Sequence, residues 1–434
     1  MNVLAHGVGS RSDLPIPVSL ALYGAGLAVL ISFLALVLLW RTPRLAGRSD
    51  GTALPLALTR AVDSPAVQHA AQAIVLALSA VVCAVALVGP PNLTDNLAPY
   101  AVYVTLWVGL IPLSLLLGPV WRVVNPLRLL HRLIAPLAGP PPTAASLPRL
   151  GYWPAAVALG VFVWLELVYP ERGDPRVVGL FLVLYAVVQL VGALWFGSGW
   201  FARADAFEVY SSLLGRLAPV GRRDDGRLAL RNPLRNAATL AEERGVSAVV
   251  VVLVGSTGFD GLSRTRYWTE GPGADNGSLS GTLGLLACIA IVTVLYVSAT
   301  FLNGVLASQE PSEQPRRYAH SMLPIAAGYA IAHYFSLLLL DGQTTWILAS
   351  NPFGQDGVNL FGSYDNAVNY TALSTTTIAN VQVGAIVLGH VLGVVLAHDR
   401  ALRAKARSAA YEQLPLVVAM IAFTVGGLGL LFGA

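Results

Sequence analysis

The feature that most constrains this chain is the alternation of long apolar stretches with arginine-rich loops. Ten stretches approach the roughly 20 apolar residues that a helix needs to cross the hydrocarbon of a bilayer. They are residues 15–40, 70–89, 99–120, 152–170, 177–200, 246–261, 280–303, 321–341, 377–398 and 414–434. All but five of the 27 Lys and Arg lie in alternate loops. Because cytoplasmic loops retain Lys and Arg, the sequence predicts an all-α bundle of about ten transmembrane helices with both termini outside.

The composition agrees with a multi-pass protein of the inner (cytoplasmic) membrane. Hydrophobic residues make up 55% of the chain and charged residues only 12%, whereas about 25% charged is typical of soluble domains. The basic residues are explained by the cytoplasmic loops, and no basic patch is interleaved with exposed aromatic residues as nucleic-acid binding requires. The lipid bilayer is therefore the predicted partner and nucleic acid is not, while the sequence identifies no protein partner.

The chain is predicted to form one integral membrane domain over residues 1–434, divided by its largest loop. Residues 1–200 hold the first five helices, residues 201–245 form a cytoplasmic loop with an interfacial helix, and residues 246–434 hold the second five. An odd number of spans in each half gives the halves opposite orientations, as in many transporters. A five-plus-five inverted repeat is therefore left open.

A four-residue string occurs twice on the predicted cytoplasmic side. It is Asn125-Pro126-Leu127-Arg128 after the third span, and Asn232-Pro233-Leu234-Arg235 in the central loop. Asn is a good N-cap and Pro suits the first helical position, so each string predicts the start of a helix. The first helix is amphipathic and is expected to lie along the membrane surface.

Ionisable and polar side chains inside the spans are the candidates for function, because such residues are costly in lipid and usually face the bundle interior. A substrate or ion pathway is predicted from the following residues: Glu166, Asp260, His333, Gln382, His390 and Asp341. The glycines and hydroxyls of Gly255–Gly261 around Asp260 predict either an interrupted helix, as at transporter binding sites, or a helix that ends at the outer interface.

His333 and His390 each follow a row of small residues spaced four apart. The rows are Gly328, Ala332 and Ser336 in the eighth span, and Ala385, Gly389, Gly393 and Ala397 in the ninth. Small residues at this spacing let two helices approach closely in lipid, which would place the two imidazoles beside one seam. Imidazole suits a transition metal, haem iron or proton transfer. The sequence predicts a metal site of His333, His390 and Asp260 for Zn, Mn or Fe, with haem, a proton pathway or hydrogen-bonded core histidines as alternatives.

Four strings of the chain are distinctive: Ala5–Pro17, Gly255–Thr265, Ala332–Gln343 and Val387–Leu402. They resemble strings in a group of actinobacterial multi-pass membrane proteins often labelled fenitrothion hydrolase. The resemblance implies a membrane-bound organophosphate ester hydrolase, for which a metal-activated hydroxide would be an economical mechanism.

Three functional classes remain open. The first is a transporter or channel for a small solute, a proton or a metal ion, with a polar path between the helices. The second is a membrane-embedded, metal-dependent hydrolase that uses part of the same residues. The third is a haem-bearing or structural subunit of a membrane complex. The transporter is the preferred interpretation, because ten helices divided by a central cytoplasmic loop are typical of transporters, whereas the resemblance favours the hydrolase.

Overall fold

The computed structural model describes residues 17–45, 51–143, 146–403 and 409–432. Eight helices of this part are long and apolar enough to cross a membrane. They are Val18–Leu39, Pro65–Val88, Leu97–Leu117, Pro175–Phe196, Ser278–Leu306, Pro311–Ala349, Thr375–Arg403 and Leu414–Phe432. The shorter apolar helices Trp153–Leu167 and Val246–Leu262 coincide with two more predicted spans. The helical membrane bundle is confirmed, while the chain termini lie outside the described residues.

The elements are numbered along the chain. The first part holds α1 (Val18–Leu39), β1 (Thr52–Ala53), α2 (Leu56–Asp63), α3 (Pro65–Val88), α4 (Leu97–Pro99), a π-helical segment (Tyr100–Val108), α5 (Leu110–Leu117), α6 (Val120–Val124) and α7 (Pro126–Ala138). The middle holds α8 (Leu147–Leu150), α9 (Trp153–Leu167), α10 (Pro175–Phe196), α11 (Phe201–Ala204), α12 (Ala206–Leu214), β2 (Val220–Arg222), β3 (Leu228–Leu230) and α13 (Pro233–Ala237). The last part holds α14 (Val246–Leu262), α15 (Arg266–Thr269), α16 (Ser278–Leu306), α17 (Gln314–Ala349), α18 (Thr375–Arg403), α19 (Ala409–Glu412) and α20 (Leu414–Phe432).

Helices α17 and α18 pack most closely, and they do so along the small-residue rows. A β-carbon on Gly328 would lie 2.5 Å from the carbonyl oxygen of Ala385, and one on Gly389 would lie 2.5 Å from that of Pro324. Only glycine allows this approach of two backbones. The predicted seam between these two helices is therefore confirmed.

Both helix starts predicted from the repeated string are present. The side chain of Asn125 accepts a hydrogen bond from the Leu127 amide at 3.0 Å, and that of Asn232 accepts one from the Leu234 amide at 2.9 Å. A proline follows each asparagine as the first helical residue. The asparagine side chain accepts a hydrogen bond from an amide that has no partner within the helix, and the proline fixes φ at a helical value. The pair is therefore a strong start for a helix.

The first part of the central segment, predicted as a cytoplasmic loop, forms two short helices that pack into the bundle. Helices α11 and α12 are buried within the bundle, where Tyr210 stacks on Trp107 with ring centroids 4.5 Å apart and Phe207 meets Phe162 at 5.1 Å. Since Trp107 and Phe162 belong to the π-helical segment and to α9, residues 201–214 re-enter the bundle and close it from the arginine-rich end.

A polar cluster holds this re-entrant segment in place. Asp205 and Glu208 are 1% and 0% exposed, and the Asn125 amide donates to both carboxylates at 2.8 and 3.0 Å. Arg128 clamps Glu208 through two hydrogen bonds of 2.8 and 2.5 Å, and the Tyr185 hydroxyl donates to Asp205 at 2.8 Å. Buried carboxylates are tolerated because every one of these partners is a donor. We call these five residues the inner polar cluster.

A small antiparallel sheet joins the two basic loops. Its strand order is β1-β3-β2, with Thr52 opposite Leu230 and Val220 also opposite Leu230. Asp63 at the end of α2 forms an ion pair with Arg222 of β2. The first loop and the central loop are thereby tied together at the arginine-rich end of the bundle.

Candidate functional site

Helix α14 carries Asp260 into the bundle without a break. The helix is continuous from Val246 to Leu262, so the interrupted helix that the glycines suggested is wrong. A β-carbon on Gly255 would lie 2.6 Å from the Cα of Ile289 in α16. This glycine therefore serves close packing between helices, and Asp260 lies in the last turn with only 4% exposure.

Asp260 is the centre of a buried group of charges. One carboxylate oxygen accepts a hydrogen bond from Nη2 of Arg264 at 2.8 Å, and the other accepts one from Nε2 of His333. The side chains of Asp260 and His333 are 5% and 6% exposed, and that of Arg264 is 35% exposed. The guanidinium also lies 3.4 Å from the imidazole. We call these three residues the ion cluster.

Glu166 of α9 lies beside the ion cluster. It is 8% exposed, and the charges of Asp260 and Arg264 both act on it. Its Oε2 atom has no hydrogen-bond partner among the described residues. Tyr334 follows His333 on α17 with the two rings 4.8 Å apart, and its hydroxyl is within electrostatic reach of both carboxylates. Two acidic side chains, one arginine and one histidine thus share a single buried region.

A cavity of about 300 Å³ borders the ion cluster. It lies between α14, α16, α17, α18 and α20 and is half-open to the exterior. His333 lines it among residues that are mostly apolar, with Thr257 and Cys288 as polar exceptions. The imidazole therefore connects the buried charges to a space that a small molecule can enter.

His390 does not share this space with His333. Its Nδ1 faces the carbonyl oxygen of Ile386 at 2.8 Å, and its ring contacts the edge of Tyr329 at 5.5 Å. Tyr329 lies one helical turn before His333 and lines the cavity, whereas His390 does not. The prediction that the two imidazoles flank one pocket is wrong, because His390 packs behind Tyr329 and uses one ring nitrogen within its own helix.

The metal site predicted from His333, His390 and Asp260 does not assemble. Among the residues that the structure describes, no three His, Cys, Asp or Glu side chains are grouped to hold a metal ion. A catalytic zinc site takes three protein ligands, and here His333 and Asp260 are bonded to each other. The donor set therefore does not fit a three-ligand metal centre.

The two remaining candidates lie on the same helices at other levels. Asp341 lies on α17, eight residues beyond His333, partly buried and within electrostatic reach of Tyr100. Gln382 lies on α18, eight residues before His390, and is also partly buried. Neither lines the cavity beside the ion cluster.

Sequence reasoning missed two members of this region. Arg264 is one of the five Lys and Arg residues outside the alternate basic loops, and its position four residues after Asp260 on a helix is the usual spacing of an ion pair. Nothing in the sequence distinguishes Tyr334, since a tyrosine in an apolar span is usually a residue of the hydrophobic core. The partner of Asp260 on another helix depends on how each helix is rotated, which the sequence does not specify.

Comparison of the chain with protein-family models, with curated proteins and with solved structures finds no match. The resemblance to proteins labelled fenitrothion hydrolase therefore stays a prediction. The fold and the ion cluster define a polytopic helical membrane protein with buried ionisable residues beside a cavity.

Proposed function

We propose that this chain is a proton-linked membrane transporter of ten spans, with both termini on the outside of the cytoplasmic membrane. Eight helices of full spanning length and two shorter apolar ones support the number of spans. The concentration of Lys and Arg in alternate loops supports the orientation, because basic loops stay in the cytoplasm. Asp260 then lies near the outer surface, and the inner polar cluster lies near the cytoplasm.

The observation that carries the proposal is the burial of Asp260 between Arg264 and His333, with Glu166 alongside. Ionisable residues within a bilayer are expensive and mark ion or substrate paths. With Asp260 and Arg264 charged and His333 neutral, the ion cluster has no net charge. A proton carried by His333 gives the cluster one positive charge, which lies next to the carboxylate of Asp260. Imidazole is the side chain that exchanges protons near neutral pH.

A proteoliposome assay tests this proposal. The purified chain is reconstituted with a pH-sensitive dye inside, and proton entry is followed after a potassium diffusion potential is imposed. We expect proton uptake by the natural chain and its loss in Asp260→Asn and His333→Gln. The matched control is His69→Gln, since His69 lies at the start of α3 at the arginine-rich end. Uptake that is unchanged in both cluster variants would refute the proposal.

A second function is favoured by one specific observation. His333 is oriented by the carboxylate of Asp260 and faces the cavity, which is the arrangement of a general base held by an acid. Such a base activates water for attack on an ester, as the fenitrothion hydrolase label implies. In this second function the imidazole itself takes the proton from the attacking water.

The two functions separate in one comparison. If the chain is a hydrolase, the detergent-purified protein hydrolyses an organophosphate triester, and His333→Gln lowers kcat by about 10²–10⁴-fold. Hydrolysis by the natural chain that persists in His333→Gln would rule out this base. Proton uptake in proteoliposomes without hydrolysis selects the transporter.

A further inference from the structure

We propose that the cavity beside His333 binds a single alkyl chain with an anionic head group, which enters sideways from the outer half of the bilayer. The inference deepens the proposed function, on which it rests for the placement of these helices in the membrane. It names the class of ligand that the site accepts.

The shape of the cavity fits an extended chain. Its lining follows α14 from Val254 to Leu262 and α20 from Ala422 to Leu431. At 1.5 Å per residue these stretches are about 12 and 13.5 Å long. The lining therefore follows each of these helices for about two turns, which is the direction that lipid tails take in a bilayer.

Glycines make the space, and a tyrosine bounds it. A β-carbon on Gly258 or on Gly426 would meet no atom within 4 Å, although both residues line the cavity. On the next position of α20, a β-carbon on Gly427 would lie 2.1 Å from the ring of Tyr329. The Tyr329 hydroxyl donates to the carbonyl oxygen of Phe423 and holds this ring in place as a wall.

The opening of the cavity lies beside exposed apolar side chains of α16. Ile291 and Leu295 of α16 line the cavity, and they are 57% and 38% exposed. In a bilayer, exposed apolar side chains in the middle of a spanning helix contact lipid tails. The first molecules to reach this opening are therefore alkyl chains.

The end of α14 supplies the charge that selects a head group. The guanidinium of Arg264 does not line the cavity, but it lies 3.4 Å from the imidazole of His333, which does, and it is partly exposed. Arg266 at the start of α15 is exposed at the same end. A carboxylate or phosphate is the group that two arginines bind best. A free fatty acid and an anionic phospholipid share this chemistry.

Native mass spectrometry of the full chain in detergent tests the proposal, with palmitate in one arm and palmitoyl lysophosphatidylglycerol, an anionic phospholipid with one alkyl chain, in the other. We expect a one-to-one adduct with at least one of the two, and the arm that binds more tightly identifies the source. In Gly258→Leu and Gly426→Leu the added side chain fills the cavity, and the affinity should fall at least about tenfold. The matched control is Gly429→Leu on the same helix, where a β-carbon also meets nothing within 4 Å but the residue does not line the cavity.

Two results would overturn the proposal. One is an adduct that survives equally in both cavity variants, and the other is an adduct lost equally in Gly429→Leu. Because the leucine in Gly258→Leu projects into open space, its melting temperature should stay near that of the natural chain, which confirms that it is folded. A second ligand, 1-hexadecanol, has the same alkyl chain as palmitate but no charge. It should bind more weakly than palmitate to the natural chain, whereas the two ligands should bind Arg264→Gln with equal affinity. Proton uptake is measured separately, so palmitate binding without proton movement refutes only the transporter.

Discussion

Asp205 in the inner polar cluster makes the stability of this protein depend on pH. Its carboxyl group lies at the start of α12 and is almost fully buried. Burial, and then the neighbouring charge of Glu208, raise the pKa of Asp205 from 3.8 to about 6. The folded protein therefore holds a proton on this group at pH values where the unfolded chain has released it.

The sign and size of the effect follow from that difference. Below pH 3.8 both states carry the proton and the contribution of Asp205 to stability is fully present. As the pH rises through about 6 this contribution is lost, because the unfolded chain ionises first. A shift of about two units, at about 1.36 kcal/mol each, corresponds to about 3 kcal/mol. Asp205→Asn cannot ionise but still caps α12, so it should lack this loss.

The assay is thermal unfolding in detergent, followed by tryptophan fluorescence, at steps between about pH 4 and pH 8. The natural chain should lose stability relative to Asp205→Asn as the pH rises through this range. Asp63→Asn is the control of opposite sign, because the ion pair with Arg222 lowers the pKa of Asp63. The stability that the ion pair between Asp63 and Arg222 contributes to the natural chain is lost as the pH falls, and it is small because the pair is exposed. Parallel pH profiles for the natural chain and Asp205→Asn would show that the burial argument fails.

Two further predictions concern packing and capping. Gly389→Leu should destabilise the protein by about 3 kcal/mol or more, because the leucine side chain would meet the backbone of Pro324. The control Gly384→Leu should change stability by less than about 0.5 kcal/mol, since nothing lies within 4 Å of a β-carbon there. Equal melting temperatures of the two variants would contradict the close packing of α17 on α18. Asn125→Ala should cost about 2–4 kcal/mol, the sum of a lost cap and unsatisfied buried carboxylates. Asn232→Ala removes only an exposed cap and should cost about 1 kcal/mol, and equal denaturation midpoints would deny Asn125 its bridging role.

The bundle could be predicted because its signal is local. An apolar run of about 20 residues spans a bilayer whatever its neighbours are, so most spans were found to within a few residues. The segment around α12 could not be predicted from an apolar run in this way. Residues 201–214 are too short to span and carry Asp205 and Glu208, which makes them look like a loop. They enter the bundle because Asn125, Arg128 and Tyr185 satisfy those carboxylates, and these partners are distant in sequence.

The candidate site was predicted in its members but not in its grouping. Asp260, His333 and Glu166 were all found, since an ionisable residue in an apolar span is conspicuous. His390 met the same criterion and lies elsewhere. Consecutive residues on a helix differ by about 100° in direction, so a histidine one step beyond a seam residue can face away from the partner helix. The contact of Gly328 with Gly389 fixes the seam but leaves open which neighbours the adjacent histidines meet.

Two buried polar groups connect the surroundings of the ion cluster with helix α12. Oε2 of Glu166 and the hydroxyl of Tyr210 are buried without a hydrogen-bond partner among the described residues, and Glu166 is within electrostatic reach of that hydroxyl. An unsatisfied buried polar group costs about 1–3 kcal/mol. Tyr210 belongs to α12, which the inner polar cluster holds, while Glu166 lies beside Asp260. The electrostatic interaction of Glu166 with Tyr210 therefore brings the surroundings of the ion cluster into contact with the segment that the inner polar cluster anchors.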